Sequence, residues 1–369
     1  MEKIQIQEEK YFTRKFIREN SNLIDQGHCK TETLLLLRSI FRFGNRLKKL
    51  NKQSDLTNNI AAEKQFKNFL DGFFKTLEKH EISIKDKKLI ARLKSAFRTL
   101  VLEFMNQSIF VKHGYTKPKG YPGDFQIIEA MYNNVPLSKH VGFLLDKYFL
   151  NSDYVKAVRN RKDIMKYYLK NFLERCSRPP IKILNLGCGS SREIRELLQE
   201  NTRSFTAVEA ILLDQEIAAL DFSKREIEST GTHWKFQFIQ DNVLNFLGSQ
   251  SYIYDTFGVQ NLIYSIGLAD YLPDSVLGPL LRTSFNALRD DGELIIAHKN
   301  ISEFRSFISD WGADWNFIPR TCKEVAQLFH RFLQGKKYFL YTLFAEKKRV
   351  FFTIASLNKI YKKNFSMCA

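Results

Sequence analysis

The clearest chemical signal in the sequence is a glycine turn at residues 187–189. It follows a short apolar run, 181–186, and precedes a predicted helix. Gly187 lets the chain turn sharply, and Gly189 lets the backbone approach a ligand with no Cβ in between. The free N–H groups at the start of the helix favour a polar ligand group. Position 192, where a dinucleotide-binding turn has its third glycine, is arginine, so a bound pyrophosphate is disfavoured.

Two acidic residues follow the next two predicted strands. Asp214 ends an apolar run, and Asp241 follows the strand predicted over 235–240. At the carboxyl edge of a parallel sheet, Asp214 is placed to accept from ribose hydroxyls and Asp241 from an adenine amino group, with Val243 against the ring. The alternatives are that Asp214 caps a helix over 215–229 and that Asp241 is a loop residue. The other predicted binding residues are Asn185, Cys188, Gln215, Asn242 and Ser265.

An upstream turn, GYPGDF, supplies two further candidates, Tyr121 and Asp124. Pro122 and Gly123 suit the two central positions of a type II turn, and Asp124 can cap a helix predicted over 125–133. The turn and the helix cap are enough to explain why these residues are present, so the turn by itself does not indicate a role in catalysis.

The remaining candidates follow later predicted strands. Asp270 and Tyr271 come after the fourth strand, His298 after the fifth, and Arg320 in the segment FIPRT. The alternatives are that Asp270 caps the next turn, that Tyr271 packs under a lid and that His298 is merely a polar strand end. No His, Asp or Glu cluster has metal-ligand spacing, so no metal is predicted.

The elements that must position these residues form two patterns. Residues 10–110 are predicted to be helical, whereas strands and helices alternate after about residue 180, which is typical of a parallel α/β sheet with helices on both faces. The predicted strands are 181–186, 205–213, 235–240, 261–266 and 292–297, followed by an antiparallel hairpin of 338–344 and 350–356. The predicted domains are 1–135, helical; 136–180, a helical connector; and 181–369, a doubly wound, Rossmann-like, seven-stranded sheet.

These features resemble one class of enzymes, the class I S-adenosylmethionine-dependent methyltransferases, whose sheet ends in such a hairpin and whose cofactor turn resembles L-x-x-G-C-G. Six segments together resemble the bacterial 3-hydroxypalmitic acid methyl ester biosynthesis proteins: GYPGDF, AVRNRKDI, LNLGCGSSREI, LLDQEIAAL, LIYSIGLADYLPD and WNFIPRTCKEV. The resemblance covers roughly residues 115–356. It implies S-adenosylmethionine as the cofactor and a small-molecule acceptor, first a fatty or hydroxy acid carboxylate.

Methyl transfer from a sulfonium requires mainly alignment and desolvation. A carboxylate acceptor is already ionised and needs no general base, only a donor to hold one oxygen; Arg320, Tyr121, Tyr271 and His298 are the candidates. A hydroxyl or amine acceptor needs a base, for which His298 or Asp270 is best placed.

The charge distribution leaves two other functions open. The net charge is +17, but residues 1–110 hold 22 Lys and Arg against 13 Asp and Glu, residues 331–369 hold 9 against 1, and the residues between are neutral. Solvated helix faces explain this pattern, and an alternative is a methyltransferase that recruits RNA or protein through its basic helices. A non-catalytic cofactor-binding regulator is the third hypothesis. No DNA partner is predicted, and the sequence does not indicate an oligomeric state.

Composition and the helical segment set the remaining expectations. The chain is 44% hydrophobic, lacks an apolar run long enough to span a membrane and has no secretory signal, so a cytoplasmic protein is expected. Its five cysteines are scattered, at Cys29, Cys176, Cys188, Cys322 and Cys368, which argues against disulfides.

Residues 1–135 are predicted to form a lid in which the turn 120–125 reaches the methyl-transfer site.

Overall fold

The computed structural model describes residues 15, 17–20, 30–51, 59–176, 178–200, 207–300, 303 and 307–359. Packing divides the chain into two compact units. Of the described residues, the helical unit comprises those up to 123, 134–152 and 307–316, and the sheet unit comprises those within 124–133, 153–303 and 317–359. The domain boundaries expected at 135 and 180 stay a prediction. Cys29, Cys368 and the start of the predicted strand 205–213 lie outside the described residues.

Twelve α-helices have both ends within the described residues. In chain order they are α1 (Lys30–Asn51), α2 (Ile60–Ser83), α3 (Lys87–Met105), α4 (Ile109–Thr116), α5 (Phe125–Asn133), α6 (His140–Leu150), α7 (Asp153–Arg175), α8 (Arg192–Gln199), α9 (Ile217–Glu228), α10 (Tyr252–Phe257), α11 (Asp274–Asn286) and α12 (Cys322–Phe332). None of the described helices combines the length and the apolar composition needed to cross a membrane.

Aromatic packing holds the helical unit together. Phe43 of α1 stacks on Phe73 of α2 with ring centroids 3.9 Å apart, and Trp311 meets Phe97 of α3 edge to face at 5.8 Å. Lys94 forms an ion pair of 2.5 Å with Asp310, which ties α3 to the turn around Trp311. Aromatic residues of the three predicted helices, Phe43, Phe73 and Phe97, therefore pack against one another.

The sheet unit contains seven strands: β1 (Ile181–Leu186), β2 (Val208–Asp214), β3 (Lys235–Gln240), β4 (Gln260–Ser265), β5 (Leu288–Lys299), β6 (Phe339–Phe344) and β7 (Val350–Ser356). Their order in the sheet is β3-β2-β1-β4-β5-β7-β6. The first five are parallel, and β7 pairs antiparallel with both β5 and β6. The predicted doubly wound sheet with a terminal antiparallel hairpin is confirmed.

Apolar residues cover both faces of the sheet. Ile295 and Ala297 of β5 lie in a core with α7 and α8, whereas Leu294 and Ile296 lie in a second core with α11 and α12. Because both faces are buried, the strands are nearly continuous apolar runs. The carboxyl ends of β1, β2, β4 and β5 consequently meet at one edge, where the side chains of the candidate site project.

Candidate active site

The glycine turn after β1 has the backbone conformation that its sequence predicts. Gly187 has φ +67° and Gly189 φ +52°, in the left-handed region that favours glycine. The N–H groups of Gly187 and Cys188 both donate to the carbonyl of Leu213, at 2.9 and 3.0 Å. The turn is therefore fixed against β2, and burial raises the pKa of the Cys188 thiol well above its usual value, so Cys188 stays a neutral thiol.

Asp214, the last residue of β2, braces this turn. Its Oδ2 accepts from the N–H of Gly189 at 2.8 Å, and its Oδ1 accepts from the N–H of Glu216 at 3.0 Å. The N-cap of α9 is Glu216, so the alternative that Asp214 caps this helix is wrong. Burial raises the pKa of Asp214 although its backbone hydrogen bonds oppose the rise. Together with the backbone of Gln215, these donors occupy three of the roughly four acceptor positions of the carboxylate, and the remaining position can accept from a hydroxyl.

Asp214→Ala is expected to weaken binding of the adenosine-containing cofactor by about 1–3 kcal/mol, the range for leaving polar partners unpaired in a buried site. Isothermal titration calorimetry with S-adenosylhomocysteine measures the loss. Asp221→Ala, at a surface position of α9, is the control and should bind as the wild type does. A lower melting temperature with unchanged affinity would show that Asp214 only braces the glycine turn.

Polar side chains cluster where β1 and β4 end. Asn185 donates to Glu193 Oε1 at 3.0 Å, and the Tyr264 hydroxyl donates to the same oxygen at 2.7 Å. Asn185 Oδ1 and Ser265 Oγ are buried with no hydrogen-bond partner among the described residues. Buried polar atoms without partners are rare, and at the mouth of a glycine turn they are consistent with a polar ligand.

The loop after β3 is tied to the loop after β2. The Asn242 side chain donates to Gln215 Oε1 at 3.1 Å, and Asp241 Oδ1 accepts from Asn242 N–H at 2.7 Å. The Tyr252 hydroxyl donates to Asp241 Oδ2 at 3.1 Å. Val243 is buried in the core on the α11 side of the sheet. The structure thus brings the predicted adenosine-binding residues together, with Asp241 serving as a local brace as well.

Arg320 holds the turn that carries Asp270 and Tyr271. Its guanidinium donates to the carbonyls of Ala269 and Leu272, at 3.1 and 2.6 Å, and to Asp274 Oδ1 at 2.7 Å. These bonds give Arg320 a positioning role, and its predicted contact with the acceptor stays a prediction.

Asp270 is the carboxylate of a buried charge cluster. Its Oδ1 accepts from the N–H of Lys299 at 3.0 Å, while its Oδ2 lies 3.4 Å from Lys299 Nζ and 3.9 Å from Arg161 NH1. All three side chains are less than a tenth exposed. Burial alone raises the pKa of Asp270, but the neighbouring basic groups, Lys299 foremost, outweigh it and hold the pKa below its usual range. Asp270 is therefore ionised, and its low pKa makes it a weak base.

The Lys299 ammonium lies in an aromatic cage formed by Phe317, Tyr154 and Tyr271. Its Nζ is 3.0, 4.8 and 5.7 Å from the respective ring centroids. Burial lowers the pKa of Lys299 to about 7, although Asp270 raises it. Near neutral pH this side chain therefore changes charge readily.

Lys299→Met is expected to flatten the pH dependence of stability between pH 7 and 10. In that window the folded Lys299 is largely neutral and the unfolded lysine is protonated, so the wild-type free energy of unfolding gains up to about 1.4 kcal/mol per pH unit from this group as pH rises. Urea unfolding at pH 7.5 and 9.5 measures the difference. Lys235→Met, at an exposed position of β3, should keep the wild-type slope; equal slopes in the Lys299→Met and wild-type proteins would contradict the assignment.

His298 is buried at the end of β5. It stacks on Phe351 of β7 with ring centroids 5.6 Å apart, and neither ring nitrogen has a hydrogen-bond partner in the part of the chain that the structure describes. Burial lowers the pKa of His298 to about 4. The imidazole is therefore neutral at physiological pH, which excludes it as a permanent cation for holding a carboxylate.

The GYPGDF segment is divided between the two units. Asp124 caps α5 as predicted, since its Oδ1 accepts from the N–H groups of Gln126 and Ile127 at 3.0 and 3.2 Å. The type II turn is wrong, because the positive φ belongs to Gly120 and not to Gly123. Tyr121 lies in the helical unit, and its predicted approach to the acceptor stays a prediction.

Helix α5 lies beside the glycine turn within the sheet unit. An ideal Cβ built on Gly189 would be 3.9 Å from the Cβ of Phe125. Glu129 of α5 also pairs with Arg192 and Arg195 of α8, the latter at 2.7 Å. The structure therefore brings Asp124, at the start of α5, near the predicted cofactor turn.

Sequence reasoning missed several residues that the structure adds to this edge of the sheet: Tyr132, Tyr154, Arg161, Lys299 and Phe317. A signal was present for Arg161, because it continues an apolar stripe of α7 at helical spacing, with Tyr154, Val158 and Met165. A charged residue on such a stripe is buried and needs a partner.

Comparisons with known proteins agree with the fold. Residues 178–363, half of the chain, match the family described as Methyltransferase domain. No curated protein is similar enough in sequence to match. A possible exported protein from Bordetella parapertussis has a similar structure, with a TM-score of 0.52, 16% identity and coverage of 67% of this chain and 86% of that chain. Two weaker similarities are to the plantazolicin methyltransferase BpumL (TM-score 0.42, 12% identity, 71% and 100% covered) and to magnesium protoporphyrin IX methyltransferase from Synechocystis (0.39, 9%, 56% and 84%).

Proposed function

The chain belongs to the methyltransferase domain family and is an S-adenosylmethionine-dependent methyltransferase, and on that premise we propose that it methylates the carboxylate of a small molecule, such as a fatty or hydroxy fatty acid, to a methyl ester. The observation that carries this proposal is the buried cluster at the ends of β4 and β5, in which two basic side chains, Arg161 and Lys299, share one carboxylate, Asp270.

The residues at the carboxyl edge fit the cofactor. Gly187 and Gly189 have positive φ angles, and at Gly189 the position of a side chain is open except for Phe125 Cβ at 3.9 Å. Asn185 Oδ1 and Ser265 Oγ, buried and without partners among the described residues, are available to the polar methionine part. When bound, S-adenosylmethionine supplies an electrophilic methyl group on a positively charged sulfur.

The adenosine part fits the loops after β2 and β3. In the proposed arrangement Asp214 accepts from the ribose hydroxyls at the acceptor position that its three backbone donors leave. The Gln215–Asn242 hydrogen bond joins the two loops on either side of the adenine, where Asp241 accepts and Val243 packs. These roles follow from position at the sheet edge, which is where ligands bind in open α/β sheets.

Both bases that the sequence predicts, Asp270 and His298, are weak, and this favours an acceptor that is already ionised. A hydroxyl or amine acceptor has to lose a proton to a base. The pKa of Asp270 is held low and that of His298 is lowered to about 4, so both are poor proton acceptors at pH 7. A carboxylate needs no base; Arg161 supplies a permanent positive charge to bind and orient it, and Lys299 adds a second one when it is protonated.

Incubation of the purified enzyme with methyl-labelled cofactor and a metabolite extract tests the proposal. We expect the label in small molecules, in a form that mild alkali releases as methanol, because methyl esters hydrolyse under these conditions. The Gly189→Val protein serves as the blank. Label in RNA or protein, or in small molecules that resist alkali, would refute the carboxylate acceptor and favour respectively the macromolecular alternative or an ether or amine product.

A further inference from the structure

Arg161 is a buried guanidinium with incomplete bonding. It projects from α7, and its side chain is 7% exposed. An ideal Cβ on Gly267, just after β4, would lie 3.6 Å from Arg161 NH2, so the guanidinium is beside the backbone of the turn. It hydrogen-bonds to the Tyr132 hydroxyl, and burial keeps that phenol neutral by raising its pKa.

The nearby carboxylates do not satisfy this guanidinium. Its shortest ion-pair distance is 3.9 Å, to Asp270 Oδ2, which is beyond hydrogen-bond length and which Lys299 also approaches at 3.4 Å. The next carboxylate, Glu193, takes its hydrogen bonds from Asn185 and Tyr264. Arg161 Nε has no hydrogen-bond partner among the described residues.

At these distances the positive charge of Arg161 is only partly compensated by carboxylates, although the side chain is buried. An arginine cannot lose its proton, so burial of an under-bonded guanidinium is costly unless an anion completes it. Lys299 adds a second positive charge whenever it is protonated. An anionic ligand beside Gly267 would relieve both.

We propose that Arg161, aided by Tyr132 and Lys299, forms a carboxylate-binding subsite at the carboxyl end of β4. The planar guanidinium fork matches the two oxygens of a carboxylate, and the adjacent Asp270 disfavours a ligand with more than one negative charge. Two carboxylates have the chemistry that this subsite would bind: the carboxylate of the methionine part of the cofactor and the carboxylate of the acceptor. The second source rests on the proposed function, whereas the first requires only cofactor binding.

Equilibrium binding to the Arg161→Gln and Arg161→Lys proteins tests the subsite with two pairs of probes. The first pair is S-adenosylhomocysteine and its decarboxylated analogue, which report on the cofactor carboxylate. The second pair is decanoate and 1-decanol, measured with S-adenosylhomocysteine bound, which report on an acceptor carboxylate. Arg159→Gln, two residues away on the same helix, is the control and should leave both affinity ratios unchanged.

We expect Arg161→Gln to weaken the carboxylate member of one pair by about tenfold or more while its carboxylate-free partner binds as to the wild type, because a charge-assisted hydrogen bond contributes on that scale. Arg161→Lys should lose part of this preference, since it keeps the charge but not the fork. The responding pair identifies the source. The subsite would be overturned if the ratio of the two affinities in each pair were the same in the variants as in the wild type, with decanoate binding to no form counted as no change. It would also be overturned if both members of each pair lost the same affinity.

Failure here is separable from failure of the proposed function. A response confined to S-adenosylhomocysteine would establish the subsite while leaving the acceptor open, and the extract experiment then decides the acceptor. Binding of the carboxylate-free probes also reports that each variant is folded.

Discussion

A Gly189→Val enzyme is expected to lose cofactor binding by at least about a hundredfold, which is about 2.7 kcal/mol, while it remains folded. Gly189 has φ +52°, a conformation that a β-branched residue adopts only with strain. The added Cβ meets protein at no less than 3.9 Å, so the space it fills is that of the ligand rather than of the core. Gly187→Val, at φ +67°, should also lose binding, and because its Cβ would lie 3.4 Å from Leu268 it should lose more stability than Gly189→Val. Calorimetry with S-adenosylhomocysteine measures both losses.

Gly231→Val is the matched control for Gly189→Val. Gly231 also has a positive φ, +64°, and nothing lies within 4 Å of its ideal Cβ. It should show a similar loss of thermal stability from backbone strain with wild-type affinity for the cofactor. Unchanged affinity in a folded Gly189→Val protein would show that the ligand does not pass over this turn.

Asp270→Asn is expected to lower the free energy of unfolding at pH 7 by about 3–5 kcal/mol, the range for removing one partner from a buried charge cluster. Asparagine can still accept from the N–H of Lys299, so the change removes the charge and little of the geometry. Arg161 and Lys299 then lose the carboxylate that they share. Urea denaturation at pH 7 measures the difference.

Two companion variants separate this effect from a general loss of packing. Glu228→Gln removes an exposed ion pair with Lys224 and should change stability by less than about 0.5 kcal/mol. Adding Lys299→Met to Asp270→Asn should recover part of the loss, because a buried lysine without its carboxylate either stays charged without a partner or gives up its proton, and methionine does neither. Equal losses for the single and double variants would mean that the Asp270 charge does not interact with Lys299.

Local sequence patterns were sufficient for the framework of the site. Strands β1, β3 and β7 and helix α5 have the predicted bounds, because apolar runs, glycine turns and an aspartate cap are properties of neighbouring residues. The glycine turn and Asp214 were likewise visible, since each follows directly on a strand end. The turn at Pro122 and Gly123 was predicted to be type II, which requires a positive φ at Gly123. The positive φ in this segment is at Gly120 instead, so the predicted type is wrong.

The charge cluster could not be derived in this way. Arg161, Asp270 and Lys299 come from three different elements. More than a hundred residues of chain separate Arg161 from Asp270. Their contact depends on the β4–β5 pairing and on the packing of α7, which no local pattern specifies. Arg320 is a second example, because its residue type suggests acceptor binding, which stays a prediction, while its three hydrogen-bonded partners were not visible in the sequence.

The insertion of β7 between β5 and β6 affects when this site can form during synthesis. In the β5–β7 pair, Lys299 lies opposite Val350 and His298 opposite Phe351. Strand β5, which carries the caged lysine, therefore gains its second neighbouring strand only from residues about fifty positions later in the chain. Until the ribosome has released residue 356, β5 has an open edge, and an unpaired, largely apolar edge is prone to aggregate. A nascent chain stopped before residue 350 is therefore expected to engage chaperones, and pairing of the hairpin would be the event that completes both the sheet and the catalytic edge.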